Sequence, residues 1–76
     1  MPSQEQCIEQ CARDEETCQR NAEANLSEML AACSGISDPT EKNRCIGAAF
    51  EAFGINVRNC REIYSACVQR CRDRYP

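Results

Sequence analysis

Histidine and tryptophan are both absent from this 76-residue chain, and aromatic residues make up only 5% of it. Without histidine, the chain lacks the side chain that most often serves as a general base or a neutral metal ligand near pH 7. None of the five serines lies in a recognisable nucleophile motif, and no glycine-rich phosphate loop or EF-hand pattern occurs. The sequence therefore predicts a protein that is not an enzyme, with no catalytic residue, no metal site and no cofactor.

Long apolar runs are missing as well. No stretch approaches the roughly 20 apolar residues that a membrane-spanning helix needs. We therefore expect no transmembrane segment.

Cysteine, by contrast, is abundant: there are eight in 76 residues. A chain of this size buries too little apolar surface to be stable on that alone, and such a cysteine content is typical of a disulfide scaffold. Disulfides persist in oxidising compartments and are rare in the cytosol. We expect the protein to act where it is secreted, in a periplasm, or in an intermembrane space.

The cysteines are spaced with mirror symmetry. Successive cysteines are separated by 3, 6, 14, 11, 14, 6 and 3 other residues, the same in both directions. Paired from the ends inward, their numbers always add to 78, which is the register of two antiparallel segments folded about Pro39. Eight cysteines admit many pairings, so the choice depends on this symmetry and on helix phase. The symmetry predicts four nested disulfides, Cys7–Cys71, Cys11–Cys67, Cys18–Cys60 and Cys33–Cys45.

Two long segments favour helix. From about residue 4 to 33 there is no glycine or proline, and good helix formers dominate. Gly35 lies where a C-terminal cap of the first helix is expected. Asp38 and Pro39 supply an N-cap and a first-turn proline for a second helix. The prediction is one all-α domain over residues 1–76, an antiparallel two-helix hairpin with helix one at about 4–33, a turn at about 34–38 and helix two at about 39–74.

Gly54 is the weak point of helix two. Together with Gly47 it lowers helix propensity, and Phe53-Gly54-Ile55-Asn56 is a candidate stop and restart. A kink or break near Gly54 is therefore an alternative to one continuous helix.

Helix phase places all the cysteines of each half on one stripe. Their steps of 4, 7 and 15 residues are each close to a whole number of turns at about 3.67 residues per turn. Because a disulfide holds Cα atoms about 4.4–6.8 Å apart, whereas helix axes usually lie about 8–10 Å apart, we expect small residues on the facing surfaces. Six alanines are predicted on or near this seam: Ala22, Ala32, Ala48, Ala49, Ala52 and Ala66.

Charge divides the two halves of the chain. Residues 1–34 carry a net charge of −5 and residues 39–76 one of +3, so the halves attract each other. In the cysteine register we expect four ion pairs worth about 0–1 kcal/mol each, namely Glu5–Arg72, Glu9–Arg70, Glu15–Arg61 and Glu23–Arg58. With these acids opposite the arginines and a total net charge of −3, nucleic acid is not an expected partner.

A second, apolar stripe lies about 60–100° around each helix from the cysteines. In an antiparallel hairpin, equal offsets in the same rotational sense fall on one side. Two helices provide no third layer to cover that side, and contiguous exposed apolar surface usually marks an interaction site. The alternative is that Leu26, Leu30, Phe50 and Phe53 wrap the middle of the hairpin as its own core. The predicted interaction surface, called here the apolar face, consists of Ile8, Leu26, Leu30, Ile46, Phe50, Val57, Tyr64 and Val68.

The outer cysteines form two CxxxC pairs, Cys7 with Cys11 and Cys67 with Cys71. Such pairs on a helix can present thiolates to a soft ion such as Cu(I), an arrangement that resembles bacterial copper-storage helical bundles. They are also similar to the twin CxxxC framework of plant α-hairpinin defence peptides and of small chaperones of the mitochondrial intermembrane space. That resemblance implies a disulfide-stapled hairpin that inhibits or kills in the first family and escorts hydrophobic clients in the second. In those families the motifs lie closer together, whereas here 55 residues separate Cys11 from Cys67.

Three functions are consistent with this pattern. The first is an interaction module that uses the apolar face to form a homodimer, in the simplest case a four-helix bundle, or to bind a protein partner. The second is Cu(I) binding or storage by the CxxxC dithiols, and the third is a secreted defence peptide or protease inhibitor. We expect the first, because the mirrored register favours disulfides over thiolates and the net acidity argues against a membrane-directed peptide.

Overall fold

The computed structural model describes residues 3–76. Two helices, α1 (Gln4–Cys33) and α2 (Pro39–Arg74), form an antiparallel hairpin whose Cα atoms extend over 58 × 15 × 9 Å. The predicted all-α two-helix hairpin is confirmed, and both helices have the predicted bounds. Met1 and Pro2 of the predicted domain lie outside the described residues.

The start of α1 is stabilised by a reciprocal cap. The Ser3 hydroxyl accepts a hydrogen bond from the Gln6 backbone N–H at 3.2 Å, and the Ser3 N–H donates to Gln6 Oε1 at 3.2 Å. This capping box satisfies two backbone donors that the first turn of a helix leaves free. At the same end of the hairpin, the Gln4 side-chain amide donates to the Tyr75 carbonyl at 2.8 Å, so the two helix ends are tied together.

The prediction that Gly35 caps the C-terminus of α1 is wrong. The cap is Ser34, in a right-handed conformation at φ −63° and ψ −20°, and no glycine has a positive φ. The chain instead leaves the helix through a tightened turn, in which the Gly35 N–H donates to the Ala32 carbonyl at 3.4 Å. The Ser34 hydroxyl also donates to the Ala31 carbonyl at 2.6 Å. Because these bonds already satisfy the last carbonyls, a left-handed residue is not needed.

Helix α2 begins as predicted and runs without a break. The Asp38 carboxylate accepts from the Glu41 N–H at 3.1 Å, and Pro39 occupies the first turn. The helix continues through Gly54 to Arg74, so the alternative of a break at Gly54 is wrong. A glycine costs a helix only about 1 kcal/mol, and the disulfides at Cys45 and Cys60 hold α2 on either side of it.

The four disulfides connect the helices in the predicted nested order, Cys7–Cys71, Cys11–Cys67, Cys18–Cys60 and Cys33–Cys45. Each holds its two Cα atoms 5.6–5.8 Å apart. Since Cα atoms lie about 2.3 Å from a helix axis, the axes are at most about 10 Å apart where the disulfides join them. The axes of packed helices usually lie about 8–10 Å apart, so this upper limit is compatible with ordinary packing.

The cystines themselves fill the seam between the helices. Within residues 3–76 the buried residues are four cysteines and two alanines, namely Cys11, Ala22, Cys33, Ala49, Cys60 and Cys71. Ala52 is half-buried, while the predicted seam residues Ala32, Ala48 and Ala66 are exposed, so for these three the prediction is wrong. A step of one residue turns a helical position by about 100°, which is enough to carry Ala48 out of the seam that buries Ala49.

The predicted ion pairs between the helices are also wrong. Within residues 3–76 the one ion pair joins Glu16 to Arg20 on α1, at 3.8 Å between exposed side chains. The arginines of α2 are exposed, where pairing gains little energy in water and costs side-chain entropy. Within the described residues, the charge difference between the helices therefore produces no ion pair between them.

We predict that reduction unfolds the hairpin. The seam buries only cysteine and alanine, so little apolar burial offsets a backbone ordering cost of about 1–2 kcal/mol per residue. Helical circular dichroism should fall steeply in a phosphine reductant and remain unchanged in the oxidised phosphine. An unchanged spectrum and melting temperature after complete reduction would mean that the helices need no crosslinks.

Ala49→Leu should destabilise the protein by about 1–3 kcal/mol, because Ala49 is 0% exposed and a larger side chain overpacks the seam. Ala48→Leu adds the same atoms at the exposed neighbouring position and should change stability by about 0.5 kcal/mol or less. Thermal unfolding followed by circular dichroism compares the two. Equal midpoints would show that the seam has room for a larger residue.

Gly54→Ala should stabilise the protein by about 0.5–1 kcal/mol, because alanine loses less backbone entropy on entering a helix. A Cβ added at Gly54 meets no atom within 4 Å, and the same is true of Gly47. Gly47→Ala is thus the matched control and should give a similar gain in chemical denaturation. Destabilisation at Gly54 alone would indicate a break that a glycine is needed to form.

Candidate interaction face and disulfide cluster

The apolar face lies along one flank of the seam. Phe50 is its most exposed member, with 52% of its surface accessible. The remaining seven are half-buried, lying partly against the neighbouring helix: Ile8, Leu26, Leu30, Ile46, Val57, Tyr64 and Val68.

No large apolar side chain among residues 3–76 is fully buried. Phe53, which the core alternative assigned to the interior, is half-buried as well. The cause is geometric: a hairpin of two helices has one shared seam, and cysteines occupy it. The apolar face is therefore left without a covering layer within this chain.

Sequence reasoning missed two exposed isoleucines, Ile55 and Ile63, which are 48% and 58% accessible. Ile55 precedes Val57 by two residues, which places it about 160° around α2 from that member of the apolar face. Helix phase could have identified Ile55 as an exposed position outside that face. It could not have identified Ile63, which lies four residues before Cys67 and so only about 40° from the seam. Neither extends the apolar face, and Ile55 supplies a matched control for experiments on Phe50.

A recess of about 360 Å³ indents the α2 side of the apolar face near the open end of the hairpin. It is lined by Tyr64, Ser65, Val68, Gln69 and Arg72. Apolar side chains with a polar and cationic edge are the usual composition of a protein-binding surface.

The two disulfides at the open end form a cluster. Cys11 Sγ and Cys71 Sγ, which belong to different disulfides, lie 3.5 Å apart. The Sγ atoms of Cys11, Cys67 and Cys71 all lie within 4.8 Å of one another, a spacing that suits ligation of one metal ion. All eight cysteines are paired, however, so the oxidised chain offers no thiolate to Cu(I).

Two grooves are lined by disulfide-bonded cysteines, and they differ in charge. One, of about 100 Å³, is lined by Cys7, Cys67, Cys71 and two arginines, Arg70 and Arg74. The other, of about 240 Å³, adjoins the third disulfide and is lined by Cys18, Asn21, Ala22, Asn56, Asn59 and Cys60. The first groove is cationic and the second is neutral.

Across residues 3–76, no charged or polar residue is buried. Over the same span, neither helix combines the length and the apolar character required to cross a membrane.

Comparisons of the chain with models of protein families, with curated proteins and with solved structures give no significant match. The structure shows a two-helix hairpin crosslinked by four disulfides, and no comparison supports a relation to the α-hairpinins or the intermembrane-space chaperones.

Proposed function

We propose that the chain is a non-enzymatic interaction module that pairs with a second copy of itself through the apolar face, forming a two-fold four-helix bundle. The observation that carries the proposal is the uncovered apolar face, with Phe50 52% exposed at its centre. Apolar surface of this kind, rimmed by charged residues, is typical of protein interfaces.

The surface area supports the proposal. The accessible surface is 5675 Å² for a mass of 8.6 kDa, whereas a compact monomer of that mass has about 4,700 Å². The radius of gyration is 17.3 Å, against about 11 Å for a compact chain of this length. The excess of about 1,000 Å² is comparable to the roughly 800 Å² that each partner buries in a standard interface.

A specific arrangement follows from the register. A two-fold axis parallel to the helices lays α1 of each copy on α2 of the other, with neighbouring helices antiparallel. A rotation about such an axis does not move a residue along the length of the hairpin. In the cysteine register, residues whose residue numbers add to 78 lie opposite each other, so Phe50 lies opposite Glu28. Phe50 of one copy then enters between Leu26 and Leu30 of the second copy.

Charge favours the same arrangement. The sequence up to residue 34 has a net charge of −5, and the sequence from residue 39 has one of +3. Laying α1 on α2 of the second copy brings opposite charges together, whereas the alternative two-fold axis lays α1 on α1 and brings like charges together.

Phe50→Glu should weaken self-association by about a hundredfold or more, since each dimer loses two buried phenylalanines at about 1.5–3 kcal/mol each. Disulfides and helicity should be unchanged, because Phe50 is exposed in the hairpin. Sedimentation equilibrium of the oxidised proteins measures the effect.

Ile55→Glu is the control, since Ile55 is 48% exposed but lies about 140° around α2 from Phe50. It adds the same charge and should leave association intact. Equal weakening by both variants would contradict use of the apolar face. A wild-type chain that stays monomeric at the highest attainable concentration would contradict self-association.

A further inference from the structure

The two disulfides at the open end are close enough to react with each other. The distance of 3.5 Å between Cys11 Sγ and Cys71 Sγ is about 1.5 Å longer than a disulfide bond. Cys67 Sγ, the sulfur bonded to Cys11, also lies within 4.8 Å of Cys71 Sγ. A thiolate released at either atom would therefore have a disulfide sulfur as its neighbour.

The four cysteines of the cluster differ in their exposure to solvent. Cys11 and Cys71, the two sulfurs in mutual contact, belong to residues only 1% exposed. Their bonded partners Cys67 and Cys7 are half-buried and line the cationic groove. Cys71 also lines this groove, but Cys7 and Cys67 are the more exposed residues. We therefore expect an incoming thiol to attack Cys7 or Cys67, which releases Cys71 or Cys11.

Arg70 and Arg74 give this entrance a positive charge. Both are exposed and line the groove, and neither takes part in an ion pair within residues 3–76. Positive charge beside a disulfide attracts an anionic thiol and stabilises the thiolate that leaves. The groove at Cys18–Cys60 is larger but lined by three asparagines, so it offers access without charge.

We propose that the Cys7–Cys71 and Cys11–Cys67 disulfides form a thiol–disulfide exchange site for small anionic thiols, in which an incoming thiol triggers a rearrangement between the two disulfides. The inference is independent of self-association, because it concerns the open end of the hairpin and not the centre of the apolar face.

The first two steps conserve disulfide bonds. The thiol loses its proton to solvent and attacks Cys7 Sγ; a mixed disulfide forms, the Cys7–Cys71 bond breaks, and the electron pair leaves on Cys71 Sγ. That thiolate begins 3.5 Å from Cys11 Sγ and attacks it after turning into line with the Cys11–Cys67 bond. A Cys11–Cys71 bond forms, the Cys11–Cys67 bond breaks, and Cys67 takes up a proton.

A second thiol then completes a two-electron reduction. It attacks the mixed disulfide, releases the oxidised small thiol and leaves Cys7 as a thiol. The two thiols are oxidised to one disulfide, and the protein gains two thiols, at Cys7 and Cys67, while the buried Cys11–Cys71 bond persists. Initial attack at Cys67 leads to the same product, because it releases Cys11 toward Cys71.

Peptide mapping distinguishes this product from simple reduction. Oxidised protein is incubated with reduced glutathione, quenched in acid, alkylated and digested without reductant. Cleavage after Glu9 and Arg70 places each of the four cysteines on a separate peptide. The expected early product carries alkylated Cys7 and Cys67 and a Cys11–Cys71 crosslink, with Cys18–Cys60 still intact.

Charge dependence provides the second readout. Arg74→Gln should slow the reaction with glutathione by about threefold at low ionic strength, the effect of one charge at a few ångströms in water. Arg72→Gln is the matched control, because Arg72 lines the recess on the apolar face and not this groove. With 2-mercaptoethanol, which carries no charge other than that of its thiolate, the same product should form with a smaller dependence on Arg74, because the arginine still acts on the attacking and leaving thiolates.

Several results would overturn the proposal. Joint alkylation of Cys7 with Cys71, or of Cys11 with Cys67, would indicate reduction of one disulfide without rearrangement. Reaction of Cys18–Cys60 at the same rate would remove the distinction between the grooves. Equal effects of Arg74→Gln and Arg72→Gln would show that the charge beside the cluster has no specific role.

Discussion

Most features of this hairpin depend on where the disulfides lie. Two helices share only one stripe along which they can face each other, and the cysteines occupy it from Cys7 and Cys71 at the open end to Cys33 and Cys45 at the turn. Among residues 3–76, four of the six buried residues are half-cystines. Large apolar side chains can therefore lie only beside the seam, and for this reason the chain has crosslinks where other small domains have an apolar core.

The disulfides do not contribute equally to stability. The outermost joins residues 64 apart in sequence, and the next three join residues 56, 42 and 12 apart. Closing the largest loop stabilises the fold by about 4 kcal/mol in the chain-entropy model. Each nested bond then closes only a short additional loop. Their main effect is to hold both helices in register along their full length.

The centre of the apolar face and the disulfide cluster are separate parts of the molecule. Phe50 and Cys67 lie 17 residues apart on α2, about 25 Å at 1.5 Å per residue. Because the arginines of α2 form no ion pair with α1 within residues 3–76, Arg70 and Arg74 keep their charge at the open end. Self-association in the middle and exchange at the end are therefore compatible in one molecule.

Sequence by itself determined the pairing of the cysteines and the bounds of both helices. Mirror spacing permits one antiparallel register, and the caps at Ser3 and Asp38 are local in sequence. Helix phase also separates Ala49, four residues after Cys45, from its exposed neighbour Ala48. Tertiary structure decided that, within residues 3–76, α1 and α2 form no ion pairs and that Cys11 and Cys71 are in contact. These depend on the side-chain positions that the opposite helix allows, and residue spacing along one helix carries no information about them.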